Sequence, residues 1–463
     1  MRRSWCLARL AACRRSKNTK GGGGLTARLF QLRERSDGDR RSEAVGKDKV
    51  VPPSAGGPSG KPHPSRQSLR GLDWFIFFLA DVQTGFGPFI AVYLTTEKWT
   101  QGRIGLVLSI GSVIGLIGQM PGGAIVDAAR SERLVAGLGI ATIGCVALAY
   151  AAWPIFPVVA TAAALHAAAS CVLGPAIAAI SLGLVGPYAI SDRLGRNARF
   201  AALGNLTAAA VMGTCGRLVS SRSVFLVTCV LAIPTLLSLA RIRGSEVDVA
   251  RAHGAVPREA PEAKTTRVID LVRQRPLLIF AGSVLLLQLA NAAMLPIMAG
   301  VVTTRSPEWA WVLIAGCIIV PQAVVAWMSP TVGAKAQAWG RRPLLMIGFG
   351  ALVIRGVLFA TVRDPYLVVA VQIFDGITAS VFAVMVPLIV ADVVFGTGHF
   401  SLAQGIVGTA TGIGAALSTV LAGYVTDLFG SSVAFLGLAS VAALGFIVTA
   451  FLMPETRRLA PRA

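Results

Sequence analysis

Four ionisable residues lie deep within long apolar stretches of this sequence: Asp81, His166, Arg355 and Asp375. A charge at the centre of a bilayer costs about 2.5 to 3.5 kcal/mol on insertion scales, so each such residue needs a partner, a water-filled cavity or a proton. A carboxyl group in such a place favours its neutral form and can carry a proton. The two carboxyl groups are therefore candidate proton carriers.

Asp81 stands about nine residues from the inner end of its apolar stretch, roughly 14 Å at 1.5 Å per residue, which is near the bilayer midplane. We expect it to couple transport to protons or to contact a substrate. The other interpretation is an aspartate that caps a helix kink or bonds a neighbouring helix. His166 is a candidate proton relay near neutral pH, or else a packed neutral histidine.

Arg355 and Asp375 lie at similar depth in consecutive apolar stretches, so the simplest interpretation is an ion pair between adjacent antiparallel helices. Such a pair would make Asp375 structural or a gated charge, whereas a free Asp375 would carry protons. Gln288 and Asn291 are three residues apart and share one helix face. They would offer uncharged hydrogen-bonding groups opposite the apolar stretch that contains Asp81.

The elements that must position these residues are membrane helices. The chain has 463 residues, of which 54% are hydrophobic and only 14% charged, whereas soluble proteins carry roughly 25% charged residues. A hydrocarbon layer about 30 Å thick needs about 20 apolar residues per helix. Twelve such spans are predicted, at residues 72–95, 104–127, 134–153, 156–186, 200–219, 223–241, 276–300, 309–332, 344–362, 366–392, 401–424 and 432–453.

An internal repeat divides these spans into two sets of six. Leu79-Ala80-Asp81 recurs 210 residues later as Leu289-Ala290-Asn291, and Gly123 falls on Gly333 at the same spacing. Duplicated helical bundles are typical of secondary transporters, whose binding site lies where the two copies meet. The predicted organisation is a disordered basic tail (1–70), two six-helix halves (71–242 and 276–455), a linker (243–275) and a short tail (456–463).

The predicted connections on one side of the membrane hold most of the Lys and Arg residues that lie between spans. By the positive-inside rule, that side, with both termini and the linker, is cytoplasmic. Residues 1–70 are strongly basic and contain four consecutive glycines from Gly21 to Gly24, so they lack a face that could be buried. An organelle transit peptide or a spurious upstream start would also account for this segment.

A glycine-and-charge motif occurs in both copies. The first copy, between the second and third spans, holds Gly123, Asp127, Arg130 and Arg133. The second holds Gly333, Gly340, Arg341 and Arg342, with Gln337 in place of the aspartate. Over residues 71 to 455 the chain resembles the major facilitator superfamily, in which this motif is a conformational latch on the cytoplasmic side.

The resemblance implies an all-α membrane protein with twelve transmembrane helices in two six-helix repeats, the major facilitator fold. It also implies a cavity lined by the first, fourth, seventh and tenth helices, so three of the four ionisable residues, Asp81, His166 and Asp375, lie on lining helices. A carboxylate such as Asp127 can accept hydrogen bonds from the N-terminus of a neighbouring helix and pair with arginine. The plainer alternative is a solvated loop charge.

The sequence contains no CxxC, HExxH, Walker-type glycine loop or nucleophile elbow, so we expect neither an enzyme nor a cofactor or metal site. The function predicted from these observations is secondary active transport, in the form of proton-coupled efflux of a hydrophobic or amphipathic compound by an antiporter. A proton-independent facilitator, a nutrient importer, and a receptor or scaffold that does not transport are the alternatives. The expected partners are a small-molecule substrate, protons and the lipid bilayer, with no nucleic acid. We expect a monomer in a bacterial inner membrane.

Overall fold

A computed structural model describes residues 64–80, 82–83, 87–220, 222–255, 274–305, 310–362 and 364–456. Three expectations therefore lie partly or wholly outside the described residues: Asp81, most of the tail at 1–70, and the linker beyond Ala255. Helix α1 begins at Arg66, so the last residues assigned to the tail are helical. The described residues form helices and contain no strand.

Among the described residues, seven α-helices precede the linker: α1 (Arg66–Ala80), α2 (Gly87–Thr96), α3 (Gln101–Ile117), α4 (Gln119–Ala128), α5 (Glu132–Ala152), α6 (Phe156–Leu218) and α7 (Ser223–Ala240). The linker contains a 3-10 turn (Gly244–Glu246) and the one-turn helix α8 (Val249–Ala252). Seven more follow: α9 (Arg275–Asn291), α10 (Met294–Arg305), α11 (Ala310–Trp339), α12 (Arg341–Thr361), α13 (Pro365–Val393), α14 (Phe400–Phe429) and α15 (Ser431–Leu452).

Nine helical stretches among the described residues are long and apolar enough to cross a membrane, and a tenth forms if α3 and α4, bent by 51°, count as one span. The expected number was twelve. The fourth and fifth predicted spans both fall on α6, whose 63 residues would measure roughly 95 Å at 1.5 Å per residue. That is about three times the hydrocarbon thickness. The first predicted span is divided between α1 and α2, each shorter than 18 residues.

Glycine sets the break in α6 and two tight turns. Gly186 has φ 72° and ψ 175°, so the helical path is interrupted there, and Pro187 follows it. Gly340 (φ 93°) and Gly430 (φ 83°) connect α11 to α12 and α14 to α15. Residues with a side chain rarely adopt these left-handed conformations. The chain can therefore turn sharply between consecutive helices without a long loop.

The described helices pack into two groups that meet mainly at two crossings. Before the linker, α6 packs against α1, α3 and α5, and α7 packs against α1 and α5; after it, α12 packs against α13 and α15, and α9 against α14 and α15. The groups meet where α4 crosses α14 and where α6 crosses α11, and α6 also packs against α13 and α14. Large apolar side chains such as Ile117 and Leu428 remain exposed on the outer faces, as lipid-facing residues do.

Candidate functional site

A polar cluster lies among the C-terminal helices, built on Arg355 of α12. Its Nη1 donates to Asp375 Oδ1 on α13 at 2.7 Å and to Asn291 Oδ1 on α9 at 2.5 Å. The Arg355 side chain is 1% exposed, whereas that of Asp375 is 22% exposed. The structure thus brings together three residues that sequence analysis had singled out. One guanidinium group ties three helices through two acceptors.

Two further side chains lie near this cluster. Gln372, one turn before Asp375, is fully buried. The Arg355 guanidinium lies 5.2 Å from the centre of the Phe359 ring, within the range of a cation–π contact. Sequence analysis did not single out Gln372; a glutamine three residues before an intramembrane aspartate was the available signal.

The other intramembrane candidates are not part of this cluster. His166 lies on α6, half-buried, one turn before Ser170, whose carbonyl oxygen accepts a 3.4 Å hydrogen bond from Gln83 Nε2. Gln288 packs against α14, where a Cβ added at Gly414 would lie 3.1 Å from the Gln288 Cβ. Gln288 and Asn291 therefore face different helices, α14 and α12. Among the described residues, the candidates expected from sequence do not all meet: one cluster lies among the C-terminal helices, and His166 and Gln288 lie apart from it.

Asp127 lies at the crossing of α4 and α14. Its Oδ1 accepts a hydrogen bond from Ser401 N at 2.9 Å, and its Oδ2 accepts one from Leu402 N at 2.8 Å. These are first-turn amides of α14, which have no partner within their own helix, and the positive end of the helix dipole favours the carboxylate. The expected arginine partner is absent among the described residues, since Arg133 donates to the Leu239 carbonyl at 3.3 Å and Arg130 is exposed.

The glycines of the two motif copies occupy equivalent positions at the two crossings. A Cβ at Gly123 would overlap the Ser401 carbonyl oxygen of α14. A Cβ at Gly333 would lie 2.5 Å from the Ser191 carbonyl oxygen and 3.2 Å from the Gly195 Cα on α6. Both glycines are needed because helix backbones touch there. The duplicated motif therefore marks where the two groups of helices approach most closely.

The basic residues of the second copy are held by two acids that sequence analysis missed. Arg341 is 1% exposed, and its Nε donates to Asp392 Oδ2 of α13 at 2.9 Å. The Glu455 carboxylate accepts hydrogen bonds from the backbone N–H groups of Arg341 and Arg342, and so caps α12. Both acids stand at the ends of predicted spans, which makes them resemble ordinary boundary charges in the sequence.

The linker joins the two groups of helices at the same end, which we call the linker end: the end carrying both motif copies and residues 242–255. His253 Nε2 lies 3.1 Å from Glu132 Oε1 at the start of α5. The His253 carbonyl accepts from Phe400 N at 3.3 Å, where α14 begins. The adjacent carboxylate of Glu132, which is buried, raises the pKa of His253. The linker therefore contacts α5 and α14 at once.

A buried charge network holds α1 to α6. Asp73, 2% exposed, pairs with Arg193 at 2.7 Å and with Arg196 at 2.6 Å. Arg193 Nε also donates to Asn197 Oδ1, and Asn197 Nδ2 donates to Ser181 Oγ. Arg193 and Arg196 fall between the fourth and fifth predicted spans, at 156–186 and 200–219, whereas in the structure they lie on α6. An acid just inside the first predicted span was the only sequence signal for this network.

Known proteins of similar sequence point to the family that the chain's motifs resemble. The family model described as Major Facilitator Superfamily matches residues 73–353 and 290–463. Two curated Mycobacterium tuberculosis proteins, from strains CDC 1551 / Oshkosh and H37Rv and both described as uncharacterized transporters of this type, are 38% identical over 395 residues. Each match covers 84% of this chain and 93% of the relative.

Solved structures of the same fold resemble the chain at low sequence identity. The proton:xylose symporter XylE superposes with a TM-score of 0.66 at 13% identity, covering 84% of this chain and 96% of that one. The human organic anion transporter MFSD10 gives 0.65 at 15% identity, covering 84% and 100%. The chain is a multi-pass membrane protein, and it belongs to the major facilitator superfamily.

Proposed function

We propose that this transporter exports a hydrophobic or amphipathic compound in exchange for protons, by alternating access. The observation that carries the proposal is the cluster of Asn291, Arg355 and Asp375. It places an acid with a partly exposed side chain against a buried guanidinium in the interior of the C-terminal helices. An intramembrane acid of this kind supports a role in proton movement.

Protonation of Asp375 would remove the charge that compensates Arg355. The guanidinium would then have only neutral acceptors, the protonated carboxyl group and the Asn291 amide, and its bonds to these are weaker than the ion-paired bond to a carboxylate. An uncompensated buried charge is costly, so the packing of α9, α12 and α13 would have to change. Proton binding can in this way favour one conformation of the helices over another.

Asp81 is the second acid in this proposal, on sequence grounds alone. Its counterpart in the repeat is Asn291, which lies in the Arg355 cluster. The two halves would then contribute one carboxyl group each, with Asn291 keeping the shape of the aspartate but not its charge.

The contacts at the linker end support alternating access. Asp127 caps α14, the motif glycines bring the backbones together, and the linker contacts both groups of helices. These contacts close one end of the bundle, and they must separate for a substrate to pass there. The preference for apolar cargo rests on the predicted spans, which contain no cluster of Arg or Lys suited to phosphates or dicarboxylates.

The test is transport into inverted membrane vesicles at imposed pH gradients, with a panel of lipophilic cations, lipophilic anions and neutral dyes as probes. For a probe that the native chain accumulates, Asp375→Asn should abolish gradient-driven accumulation while exchange continues. The exposed helix-capping acid Asp364, at the start of the same helix, supplies the matched control Asp364→Asn. Unchanged gradient dependence in both Asp375→Asn and Asp81→Asn would refute proton coupling through these acids.

The Arg355–Asp375 pair itself favours a second candidate, a proton-independent facilitator, because a permanent ion pair would keep Asp375 ionised and prevent it from taking up a proton. The double variant Arg355→Gln with Asp375→Asn removes both charges and distinguishes the two. If the protein is a facilitator, the double variant and the native chain should both carry the probe down its concentration gradient at every pH. The proton-coupled exporter would keep its fold but lose accumulation.

A further inference from the structure

A stripe of side chains on α1 combines charge with aromatic surface. Arg66, Arg70, Trp74 and Phe78 follow one another at four-residue spacing, so they share one helix face. This face borders a groove of about 690 Å³ between α1 and α7, and Leu237 and Arg241 line the opposite wall. The groove therefore has arginines at the linker end and apolar groups further along.

The arginines of this groove are not neutralised by the part of the chain that the structure describes. Arg66, Arg70 and Arg241 are exposed, and no ion pair joins any of them to a described acid. Asp73 is already bonded to Arg193 and Arg196 on α6. Asp192 shares a neighbouring hollow with Arg66 and Arg70 without forming an ion pair to them. The groove thus presents uncompensated positive charge.

An apolar slot continues the groove away from the arginines. It holds about 370 Å³, shares Phe78 with the first groove, and is walled by α6 and α7, with Ala208, Val227 and Val230 among its lining residues. Together the two cavities follow α7 from Arg241 to Ser223, roughly 27 Å at 1.5 Å per residue. One leaflet contributes about half of a 30 Å hydrocarbon layer, so the length suffices for an acyl chain.

We propose that this groove is a binding site for an anionic glycerophospholipid. The phosphate lies between Arg70 and Arg241, because each guanidinium group can bind a phosphate through two parallel N–H···O hydrogen bonds. Trp74 lies at the level of the headgroups, where tryptophan is enriched. An acyl chain follows Phe78 into the slot, so the lipid bridges α1 and α7.

The experiment reconstitutes the full chain in vesicles that contain phosphatidylglycerol or phosphatidylcholine with brominated acyl chains, which quench nearby tryptophan fluorescence. The signal of Trp74 is obtained by subtracting that of Trp74→Phe. Quenching of Trp74 should be stronger with brominated phosphatidylglycerol at equal mole fraction. Since each arginine near an anionic surface contributes a factor of about 5.4 to binding, Arg70→Gln with Arg241→Gln should reduce the preference for the anionic lipid about thirtyfold.

The matched control is Arg199→Gln with Arg275→Gln, which removes the same charge at exposed positions outside the groove. It should keep the preference. Val230→Phe retains every arginine and fills the slot, so it should lower the number of phosphatidylglycerol molecules that remain bound in native mass spectrometry. Equal quenching by both lipids would identify the groove as ordinary lipid contact. An equal loss in the control pair, or full lipid retention in Val230→Phe, would likewise overturn the proposal.

Discussion

The crossing of α6 and α11 offers a direct test of how the linker end closes. A Cβ at Gly195 would lie 2.5 Å from the Ser329 carbonyl oxygen and 3.1 Å from the Pro330 Cα. The first distance is about 1 Å shorter than an ordinary contact, and both neighbours belong to the α11 backbone, which cannot rotate away. Gly195→Ala must therefore push α6 and α11 apart.

Overpacking of this kind typically costs about 1 to 3 kcal/mol. The cost falls only on the conformation in which the crossing is closed, so it shifts the equilibrium towards an open linker end by roughly 5- to 150-fold. Spin labels at the exposed positions Ala189 and Ala338, on the two sides of this crossing, would report the change as a larger population at long distance. Native cysteines would be replaced beforehand.

The matched control is Gly174→Ala on the same helix, where an added Cβ meets nothing within 4 Å. Both substitutions raise the helix propensity of α6 by a similar amount, so any difference between them comes from the crossing. Identical distance distributions in the two variants would show that the tight glycine contact does not control closure.

Two further predictions concern buried charges. His253 has a raised pKa, so its charged bond to Glu132 is fully present below the ordinary histidine pKa and is lost as pH rises through the raised value. The linker end of the native chain should therefore open as pH rises. His253→Gln should remove this pH dependence, measured with the same spin labels. Asp73→Asn leaves Arg193 buried without a counter-charge, a loss of about 3 to 5 kcal/mol that should lower the thermal unfolding temperature of the purified protein. The exposed Asp192→Asn serves as its control.

The results that would contradict these predictions are specific. Opening that follows pH equally in the native chain and in His253→Gln would remove that histidine from the closure of the linker end. Equal unfolding temperatures for Asp73→Asn and Asp192→Asn would show that the buried network does not stabilise the fold.

The family and the all-helical membrane fold could be predicted from sequence because they depend on local composition and on a repeat. Apolar stretches of about 20 residues identify most spans, and the 210-residue spacing pairs Gly123 with Gly333. The break in α6 was placed within a few residues, since the fourth span was expected to end at Gly186. A helix that resumes directly after a break looks like a loop in a hydropathy pattern, so continuation of α6 through Arg193 was not predicted.

The partners of charged residues were harder to predict, because they depend on which helices become neighbours. Arg355 and Asp375 lie on consecutive helices, so equal depth suggested their contact. Asp73 and Arg193 are 120 residues apart, and no local pattern connects them. The same holds for Glu132 and His253, since the contact requires the linker to fold back over the helix ends.

The two crossings at the linker end are held by unlike chemistry. At α6 and α11, Gly195 and Gly333 allow backbone contact, and Gln337, which replaces the aspartate in the second motif copy, adds an uncharged 3.5 Å hydrogen bond to the Tyr188 carbonyl. At α4 and α14, the same kind of glycine contact is joined by the Asp127 carboxylate on the amides of α14. Salt and protons act on a carboxylate but hardly on van der Waals contact. One side of the closure is therefore chemically adjustable and the other is set by shape, so the two sides need not release together.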